Sequence, residues 1–326
     1  MSHTGPTDDG PASGPTQAAS PTSAGGTGSS ITSGRFVRGE PGVRLHYASC
    51  GEPGAPLMVF LHGFPEFWYA WRAVLPAFGD RFHAVAPDLR GYNLSDKPAD
   101  LRAYRARALV ADIDALVRGL GHERCVLVAH DWGGAIAWSF AIAHPERVSK
   151  LVILNAPHPV PFARALAHDA RQQAASQYMN WLRRPGSEAV LARDGFARLD
   201  GFFLRPGGAR WFDGAVRDAY HAAWARPGAI AGGVNYYRAS PLYPPVGDDP
   251  GAARVAVRDA DFIVRTKTLV IWGDGDTALL PVLLDGLDRL VPDLRLVRLP
   301  DATHWLVHEQ PARVIGEIAG FVDDGA

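Results

Sequence analysis

Short runs of apolar, β-branched residues alternate with longer amphipathic stretches along most of this chain, and this alternation constrains its fold more than any other feature. Parallel strands need crossover connections of a dozen or more residues, usually helices, so the rhythm predicts an α/β fold with a mostly parallel sheet. Strands are predicted over 43–50, 56–63, 82–88, 125–131, 149–157, 267–276 and 294–304. Helices are predicted over 66–78, 105–121, 133–144 and 311–324.

The rhythm stops between His158 and about Asp261. This region is rich in Arg, Trp, Tyr, Gly and Pro, and it contains helical fragments such as EAVLARDGFARL but no convincing strand. Because the alternation of strands and helices resumes afterwards, we interpret 158–261 as a helical cap. The core is then formed by 35–157 and 262–326.

Residues 1–34 consist almost wholly of Gly, Pro, Ser, Thr and Ala and show no apolar periodicity. A segment of this composition buries too little apolar surface to offset the entropy that ordering removes. We therefore predict a disordered tail and a folded protein that begins near Arg35.

The chain has 326 residues, of which 47% are hydrophobic, and a formal net charge of −1 with intermingled signs. This balance predicts no nucleic acid partner. Its two cysteines, Cys50 and Cys125, lie far apart in apolar or strand-like stretches, so neither a disulfide framework nor a metal site is expected. The sequence has no apolar run near the roughly 18 residues that span a bilayer and no signal peptide pattern. These features favour a cytoplasmic protein without membrane contact.

The segment AHDWGG, at 129–134, lies where a predicted strand turns sharply into a helix. In this context a side chain projects above the sheet while the next backbone N–H points at the reacting centre. Ala129 and Gly133 are the small residues that so tight a turn requires, and Asp131 stands where many hydrolases carry a serine. Asp131 could simply cap the following helix, but its neighbours at the predicted sheet edge favour a nucleophile.

The HGFP segment at 62–65 follows another predicted strand and should reach the same edge of the sheet, where ligands bind to parallel α/β folds. Its turn leaves the backbone N–H of Phe64 free to donate beside the nucleophile. The N–H of Trp132 is the expected second donor, so these two groups predict an oxyanion hole.

Two later strands end in residues that complete a catalytic triad. VIWGDGD places Asp276 after one strand, with Asp274 as its local competitor for orienting a histidine. DATHWLVH places His304 after the last strand, with His308 as the alternative base. Together with Asp131, these residues give the chain order nucleophile, acid, histidine.

This order is that of the α/β-hydrolases, and from about Arg35 onward the sequence resembles that superfamily. HGFPEFWYAWR, DLRGYNLSDKP, HDWGG and ATHW resemble its epoxide hydrolase branch specifically. The resemblance implies an α/β-hydrolase fold, an Asp nucleophile and a cap inserted after the sixth strand, in agreement with the break at His158. The DLRGYNLSDKP segment is expected to be structural and to tie the sheet to its neighbours.

A carboxylate nucleophile suits attack on saturated carbon, because attack on an acyl group would give an anhydride with little advantage over the substrate. Opening a strained ring or displacing a halide instead gives an alkyl-enzyme ester on Asp131. His304, oriented by Asp276, would then take a proton from water, and the hydroxide would attack the ester carbonyl. The Phe64 and Trp132 N–H groups would hold the resulting oxyanion.

In epoxide hydrolases, two cap tyrosines donate to the epoxide oxygen. QYMNWLRRPG and GVNYYRASPLY resemble the segments that carry them, and the matching positions are Tyr178 and Tyr237, with Tyr236 as the adjacent alternative. The resemblance therefore implies an enzyme that converts an epoxide and water to a vicinal diol without a cofactor. The expected substrate is a small apolar epoxide, with contacts to Trp132, Phe64, Trp181 and Trp305. The sequence leaves the oligomeric state open, a homo-oligomer included.

Haloalkane dehalogenases share the Asp nucleophile and use the indole N–H of the following Trp to hold halide, so Trp132 fits them as well. They usually add an Asn in the H-G-x-P turn or a second cap Trp; this chain has Phe64 in the turn, although Trp181 or Trp224 could serve. Fluoroacetate dehalogenases place arginines after the nucleophile, and DWGGAIAW has none. A ligand-binding protein without turnover is the remaining alternative, and the intact triad argues against it.

Overall fold

The computed structural model describes residues 30–38, 42–204 and 209–324. Within these residues, eight strands form one sheet in the order β1-β2-β4-β3-β5-β6-β7-β8. Their bounds are β1 Thr32–Arg38, β2 Arg44–Cys50, β3 Leu57–Leu61, β4 His83–Pro87, β5 Cys125–His130, β6 Val148–Leu154, β7 Thr268–Gly273 and β8 Leu294–Leu299. β2 pairs antiparallel with β1 and β4, whereas every other pairing is parallel. The predicted α/β-hydrolase fold with a mostly parallel sheet is confirmed.

Helices connect the parallel strands and fill the segment between β6 and β7. The α-helices are α1 Ala106–Gly119, α2 Asp131–Ala143, α3 Pro159–His168, α4 Ala170–Ala175, α5 Gln177–Leu182, α6 Ser187–Leu191, α7 Ala197–Phe203, α8 Gly214–Trp224, α9 Ala229–Ala239, α10 Leu287–Leu290, α11 Leu306–Glu309 and α12 Pro311–Asp323. The 3-10 helices are Trp68–Trp71, Leu75–Ala77, Leu101–Tyr104, Pro145–Arg147, Asp194–Phe196, Gly251–Arg254, Asp259–Phe262 and Pro281–Leu284.

Both faces of the sheet are buried, as the uninterrupted apolar strands require. In β3, Leu57, Val59 and Leu61 point into one apolar cluster, and Met58 and Phe60 point into the other. Successive strand residues face opposite sides, so a fully apolar strand needs packing on both. α1, α2 and α10 contribute residues to the first cluster, which the helices between β6 and β7 extend, and α12 contributes residues to the second.

The segment between β6 and β7 contains α3 to α9 and, in its described residues, no strand. We call this segment the cap. The fragment predicted as helical over 188–199 is divided between α6 and α7, because Asp194, Gly195 and Phe196 adopt positive φ angles that interrupt a helix. The limits of 158–261 for a separate cap domain remain a prediction.

Two local predictions are wrong. The helix expected over 66–78 is two short 3-10 helices, since Pro76 lacks the N–H that a continuous helix needs. The tail expected to be disordered through residue 34 already forms β1 at Thr32. There the backbone N–H of Gly34 donates to His46 Nε2 at 3.0 Å, a contact that composition cannot reveal. The rest of the predicted tail, residues 1–29, lies outside the described residues.

The DLRGYNLSDKP segment anchors the end of β4. Asp88 is fully buried, and its Oδ2 accepts hydrogen bonds from His46 Nδ1 at 2.6 Å and from Asn93 Nδ2 at 2.9 Å. Its Oδ1 accepts from the backbone N–H of Trp68 at 3.0 Å, and Ser95 Oγ donates to its backbone carbonyl at 2.5 Å. These contacts agree with the expected structural role.

Deleting residues 1–38 should lower the melting temperature, because it removes β1, its pairing with β2 and the bonds that Ser33 and Gly34 make with His46. Each net kcal/mol lost corresponds to about 2–4 °C in a domain of this size, and several hydrogen bonds are lost. Thermal unfolding followed by circular dichroism measures the change. Deleting only residues 1–29 is the control and should leave the melting temperature unchanged; equal values for both deletions would contradict a stabilising role for β1.

Candidate active site

Asp131 is held in a strained turn at the junction of β5 and α2. Its φ angle is +50°, in the left-handed region that non-glycine residues seldom adopt. The turn brings α2 close to β3: a Cβ atom on Gly133 would lie 2.5 Å from the backbone oxygen of Leu61. Gly133 is therefore required by space, as the sequence predicted. Asp131 is the first residue of α2, but its carboxylate bonds elsewhere, so it does not serve as the helix cap.

The backbone N–H of Phe64 donates to Oδ1 of Asp131 at 2.8 Å. This contact places the predicted oxyanion donor directly on the candidate nucleophile. A Cβ atom on Gly63 would lie 2.1 Å from the same oxygen, so the HGFP turn needs glycine at that position for the carboxylate to fit. Trp132 follows Asp131 in the first turn of α2, where its N–H remains the predicted second donor.

His304 lies between two carboxylates. Its Nε2 is 3.5 Å from Oδ2 of Asp131, and its Nδ1 donates to Oδ2 of Asp276 at 2.7 Å. Asp276 is buried after β7, and His304 follows β8, so the ends of three strands bring these side chains together. This is the geometry of a nucleophile, a base and the acid that orients the base.

Asn155, which sequence reasoning missed, helps to hold the carboxylate of Asp276 in place. It follows β6 and is fully buried; its Nδ2 donates to Oδ2 of Asp276 at 2.8 Å, and its Oδ1 accepts from the backbone N–H of Gly273 at 2.7 Å. The signal was present in the sequence, because a polar residue after the apolar run LVIL follows the same rule that selected Asp276.

The two carboxylates control the proton on His304. Burial acts to lower the pKa of His304, but the negative charges of Asp276 and Asp131 and their hydrogen bonds raise it to about 10. Burial acts to raise the pKa of Asp276, but His304 and the hydrogen bonds to Leu279 and Asn155 leave it below its ordinary value. The two neighbouring negative charges therefore favour the imidazolium form of His304.

The competing acid and base lie elsewhere. Asp274 Oδ1 accepts a hydrogen bond from Arg298 Nε at 2.8 Å, at the surface. His308 donates from Nε2 to Glu66 and stacks on Trp211 with ring centroids 4.0 Å apart. Neither side chain bonds to the triad.

Glu66 is the centre of a second buried cluster that sequence reasoning missed. It accepts hydrogen bonds from the hydroxyl of Tyr220 at 2.7 Å and from His308 Nε2 at 2.6 Å. Its other oxygen lies 3.3 Å from Nδ1 of His130, whose Nε2 donates to the backbone oxygen of His304 at 2.8 Å. Burial acts to raise the pKa of Glu66, but the two histidines hold it well below its ordinary value. A charged side chain thus supports the strand and loop that carry Asp131 and His304.

A cavity of about 280 Å³ opens above Asp131, between α2 and the cap. Among the described residues that line it, Asp131 is the only charged one, and most of the others are aliphatic or aromatic. Along α2 the lining includes Trp132, Ala135, Ile136 and Ser139, and from the cap it includes Phe162, Tyr178, Met179, Tyr236, Tyr237, Leu242 and Val257. The cavity suits an uncharged, largely apolar ligand.

Both predicted cap tyrosines line this cavity, with ring centroids 6.0 Å apart. Burial raises the pKa of both Tyr178 and Tyr237, and the charge of Asp131 raises each further, so their hydroxyls stay protonated and can donate. The hydroxyl of Tyr236 donates instead to the backbone oxygen of Arg90 at 2.9 Å. Because the hydroxyl of Tyr236 is engaged in this bond, Tyr237 is the better candidate to donate to a substrate.

Of the four residues predicted to contact substrate, only Trp132 lines the cavity. The Phe64 ring packs between Tyr237 and Phe202, at centroid distances of 5.3 and 5.7 Å. Trp305 donates from Nε1 to the backbone oxygen of Phe202 at 2.9 Å. Trp181 packs near Arg198, 5.8 Å from the guanidinium carbon. The substrate contacts expected for Phe64, Trp181 and Trp305 remain predictions.

The α/β-hydrolase fold family profile matches residues 56–311. Epoxide hydrolase 4 of Mus musculus is 35% identical over 294 residues, which cover 87% of this chain and 78% of that protein. The chain belongs to the epoxide hydrolase branch of the α/β-hydrolase superfamily. Epoxide hydrolase A of Mycobacterium tuberculosis is 31% identical over 317 residues, which cover 86% of this chain and 94% of that protein.

Solved structures of epoxide hydrolases share the fold. The crystal structure of Bacillus megaterium epoxide hydrolase with an inhibitor superposes with a TM-score of 0.82 at 36% identity, covering 89% of this chain and all 100% of that one. A variant of the same enzyme, complexed with its naphthyloxy-propanediol product, gives a TM-score of 0.81 at 35% identity, with the same coverage. This epoxide hydrolase family member is accordingly a hydrolase by family and by fold.

Two further findings concern only the part of the chain that the structure describes. None of its helices has the length and apolarity needed to cross a membrane. It contains no cluster of three or more His, Cys, Asp or Glu side chains arranged to hold a metal ion.

The charge of Asp131 should be measurable at His304. In Asp131→Asn, the pKa of His304 should fall from about 10, because one of the two carboxylates that stabilise the imidazolium is gone while burial still favours the neutral ring. NMR titration of the ring protons measures this change. Asp274→Asn is the matched control and should leave the titration where it was; an equal response to both substitutions would rule out a local effect of Asp131.

Proposed function

We propose that this protein is an epoxide hydrolase that adds water to an epoxide and releases a vicinal diol. The observation that carries the proposal is that Asp131 and the hydroxyl-bearing Tyr178 and Tyr237 line one apolar cavity. A carboxylate opposite two phenols is suited to opening a ring whose oxygen must be protonated as its C–O bond breaks. Relatives named epoxide hydrolases, and the diol product bound by one of them, support this assignment.

In the first step, Oδ2 of Asp131 attacks an epoxide carbon. Oδ1 is already held by the Phe64 N–H, so Oδ2 is the oxygen left to react. The new Oδ2–C bond forms as the epoxide C–O bond breaks, and the electron pair stays on the epoxide oxygen. Tyr178 or Tyr237 gives that oxygen a proton. The product of this step is a hydroxyalkyl ester of Asp131.

Ester formation changes the role of His304. Once Asp131 is esterified, it no longer contributes a negative charge to the imidazolium, so the pKa of His304 falls and the ring can release its proton. That proton replaces the one given by the tyrosine. Formation of the intermediate thus converts His304 from a charged partner into a base.

In the second step, His304 takes a proton from water as the hydroxide attacks Cγ of Asp131. Oδ1 becomes the oxyanion, and it already lies 2.8 Å from the Phe64 N–H, while Trp132 is the proposed second donor. The Cγ–Oδ2 bond then breaks, so Oδ2 leaves in the diol with the remaining water proton. The water oxygen stays in the regenerated carboxylate, and His304 is again an imidazolium.

The dehalogenase alternative has less support. A halide leaves without a proton, so it gives no role to two buried phenols. The ring of Trp132, which would hold the halide, packs edge-to-face with Tyr237 at a centroid distance of 5.1 Å, and Phe64 occupies the turn position where dehalogenases usually place Asn. The cap, proposed as a lid over 158–261, supplies both tyrosines. A cytoplasmic location remains part of the proposal, since the chain of 326 residues has only two cysteines.

Changing Tyr178 or Tyr237 to Phe should slow epoxide opening by about 10-fold or more, and changing both should nearly abolish it, because each substitution removes one donor with little change in packing. The measurements are diol formation from styrene oxide and single-turnover esterification of Asp131. Halide release from haloalkanes serves as the comparison. Wild-type protein that releases halide but no diol would overturn the proposed function. Esterification at the wild-type rate in both single variants would show that the tyrosines only pack in the cap and donate no proton.

Replacing His304 with Gln should leave esterification intact while stopping ester hydrolysis, because the base is lost but the nucleophile remains. Asp131 should then accumulate as an adduct, and intact-protein mass should rise by the mass of the epoxide. His308→Gln is the matched control and should accumulate no adduct, since His308 bonds to Glu66 and not to the triad. An unmodified His304→Gln protein, tested with an epoxide that the wild type hydrolyses, would exclude either the covalent mechanism or this histidine.

A further inference from the structure

The loop after β7, residues 276–280, carries the catalytic acid and is fixed partly by the acid itself. Oδ1 of Asp276 accepts hydrogen bonds from the backbone N–H groups of Ala278 at 2.8 Å and Leu279 at 2.9 Å. Its Oδ2 is thereby directed toward His304. The backbone oxygen of Ala278 and the N–H of Leu280 point away from the acid and need partners of their own.

Gln172, on α4 of the cap, supplies both partners. Its Nε2 donates to the backbone oxygen of Ala278 at 2.8 Å, and its Oε1 accepts from the backbone N–H of Leu280 at 3.0 Å. The side chain is fully buried. The acid loop is therefore held from one side by Asp276 and from the other by an amide that belongs to the cap.

The same amide also bonds to the start of α5, the helix that carries Tyr178, a proposed donor to the epoxide oxygen. Nε2 of Gln172 also donates to Oγ of Ser176 at 2.8 Å. Ser176 is the N-cap residue of α5, and Tyr178 is the second residue of that helix. Both N–H groups of the amide are thus in use, one toward the acid loop and one toward the start of α5.

We propose that Gln172 is a positioning residue that holds Tyr178 and Asp276 in register across the boundary between the cap and the core. The proposal rests on the proposed function, because it assigns Tyr178 to ring opening and Asp276 to ester hydrolysis. Gln172 touches neither the substrate nor the reacting atoms. It acts through its three hydrogen bonds, which join the part of the cap that donates to the epoxide oxygen to the loop that orients His304.

The adjacent residue provides a matched control. Gln173 lies on the same helix, but its Nε2 donates to the backbone oxygen of Leu166 at 3.0 Å, within the cap. A substitution there removes a side-chain amide from α4 without disturbing the acid loop. If substitution of Gln172 has an effect that substitution of Gln173 lacks, the effect comes from the contacts between cap and core and not from the general stability of α4.

Gln172→Met keeps the length of the side chain and removes its three hydrogen bonds. In single-turnover experiments with styrene oxide, ring opening should slow by about 10-fold or more, because a displaced Tyr178 no longer meets the epoxide oxygen. The acidic limb of the ester hydrolysis profile should also move to lower pH by about half a pH unit, since a loosened Asp276 stabilises the His304 imidazolium less. Gln173→Met should change neither quantity.

A double-mutant cycle identifies the route of the effect. In a Tyr178→Phe background, Gln172→Met should slow ring opening by no more than about 2-fold, because the group that it positions has already lost its hydroxyl. A further 10-fold loss in that background would show that Gln172 acts through overall folding and would overturn the proposal. Equal effects of Gln172→Met and Gln173→Met would overturn it as well.

Ser176→Ala decides the matter if Gln172→Met does not fold. This variant removes one hydrogen bond and leaves those to Ala278 and Leu280 in place. It should slow ring opening while the pH profile of ester hydrolysis stays unchanged; unchanged ring opening would contradict the link to α5. If the wild-type protein itself forms no diol, the proposed function is wrong. Failure of the proposal for Gln172 would instead be seen only in the variants, while the wild type still forms diol.

Discussion

The left-handed backbone conformation at Asp131 is the constraint on which the rest of the site depends. It turns the chain from β5 into α2 within one residue, so the carboxylate stands above the sheet instead of lying along it. The turn is stable only if the neighbouring segments come very close, which explains the glycines at 63 and 133. The N–H of Phe64 then donates to Oδ1 of Asp131, and the loops after β7 and β8 bring Asp276 and His304 together beside that carboxylate.

Much of this could be predicted from the sequence, because the decisive residues follow strands that are recognisable by themselves. Asp131, Asp276 and His304 each come within a few residues of an apolar run, and parallel strands present their carboxyl ends at one edge. The small residues around Asp131 and the HGFP turn are local features as well. Tyr178 and Tyr237 were reachable only through resemblance, since the cap has no periodic pattern from which their meeting at one cavity could be inferred.

The remaining features depend on partners that are distant in sequence. β1 pairs with the edge that β2 offers, and its own sequence is a weak strand signal, because Ser33 and Gly34 interrupt the strand-forming residues Thr32, Phe36 and Val37. Glu66 is buried and charged only because His130 and His308 arrive from elsewhere. Trp132 and Trp305 have the same side-chain chemistry, so the sequence alone does not show that Trp132 lines the cavity while Trp305 bonds to the backbone of Phe202.

The proton on His304 gives the cavity an electrostatic character of its own. Two carboxylates and one imidazolium leave a single unbalanced negative charge at the base of an otherwise uncharged, apolar chamber. Among the described residues no cation lines the walls to attract an anion, and the low polarity of the surroundings leaves repulsion poorly screened. An anionic ligand would therefore meet a repulsion at Asp131 that an uncharged ligand does not. In the proposed mechanism the epoxide is neutral, so esterification conserves the net charge and moves the unbalanced negative charge from Asp131 to Asp276, which does not line the cavity.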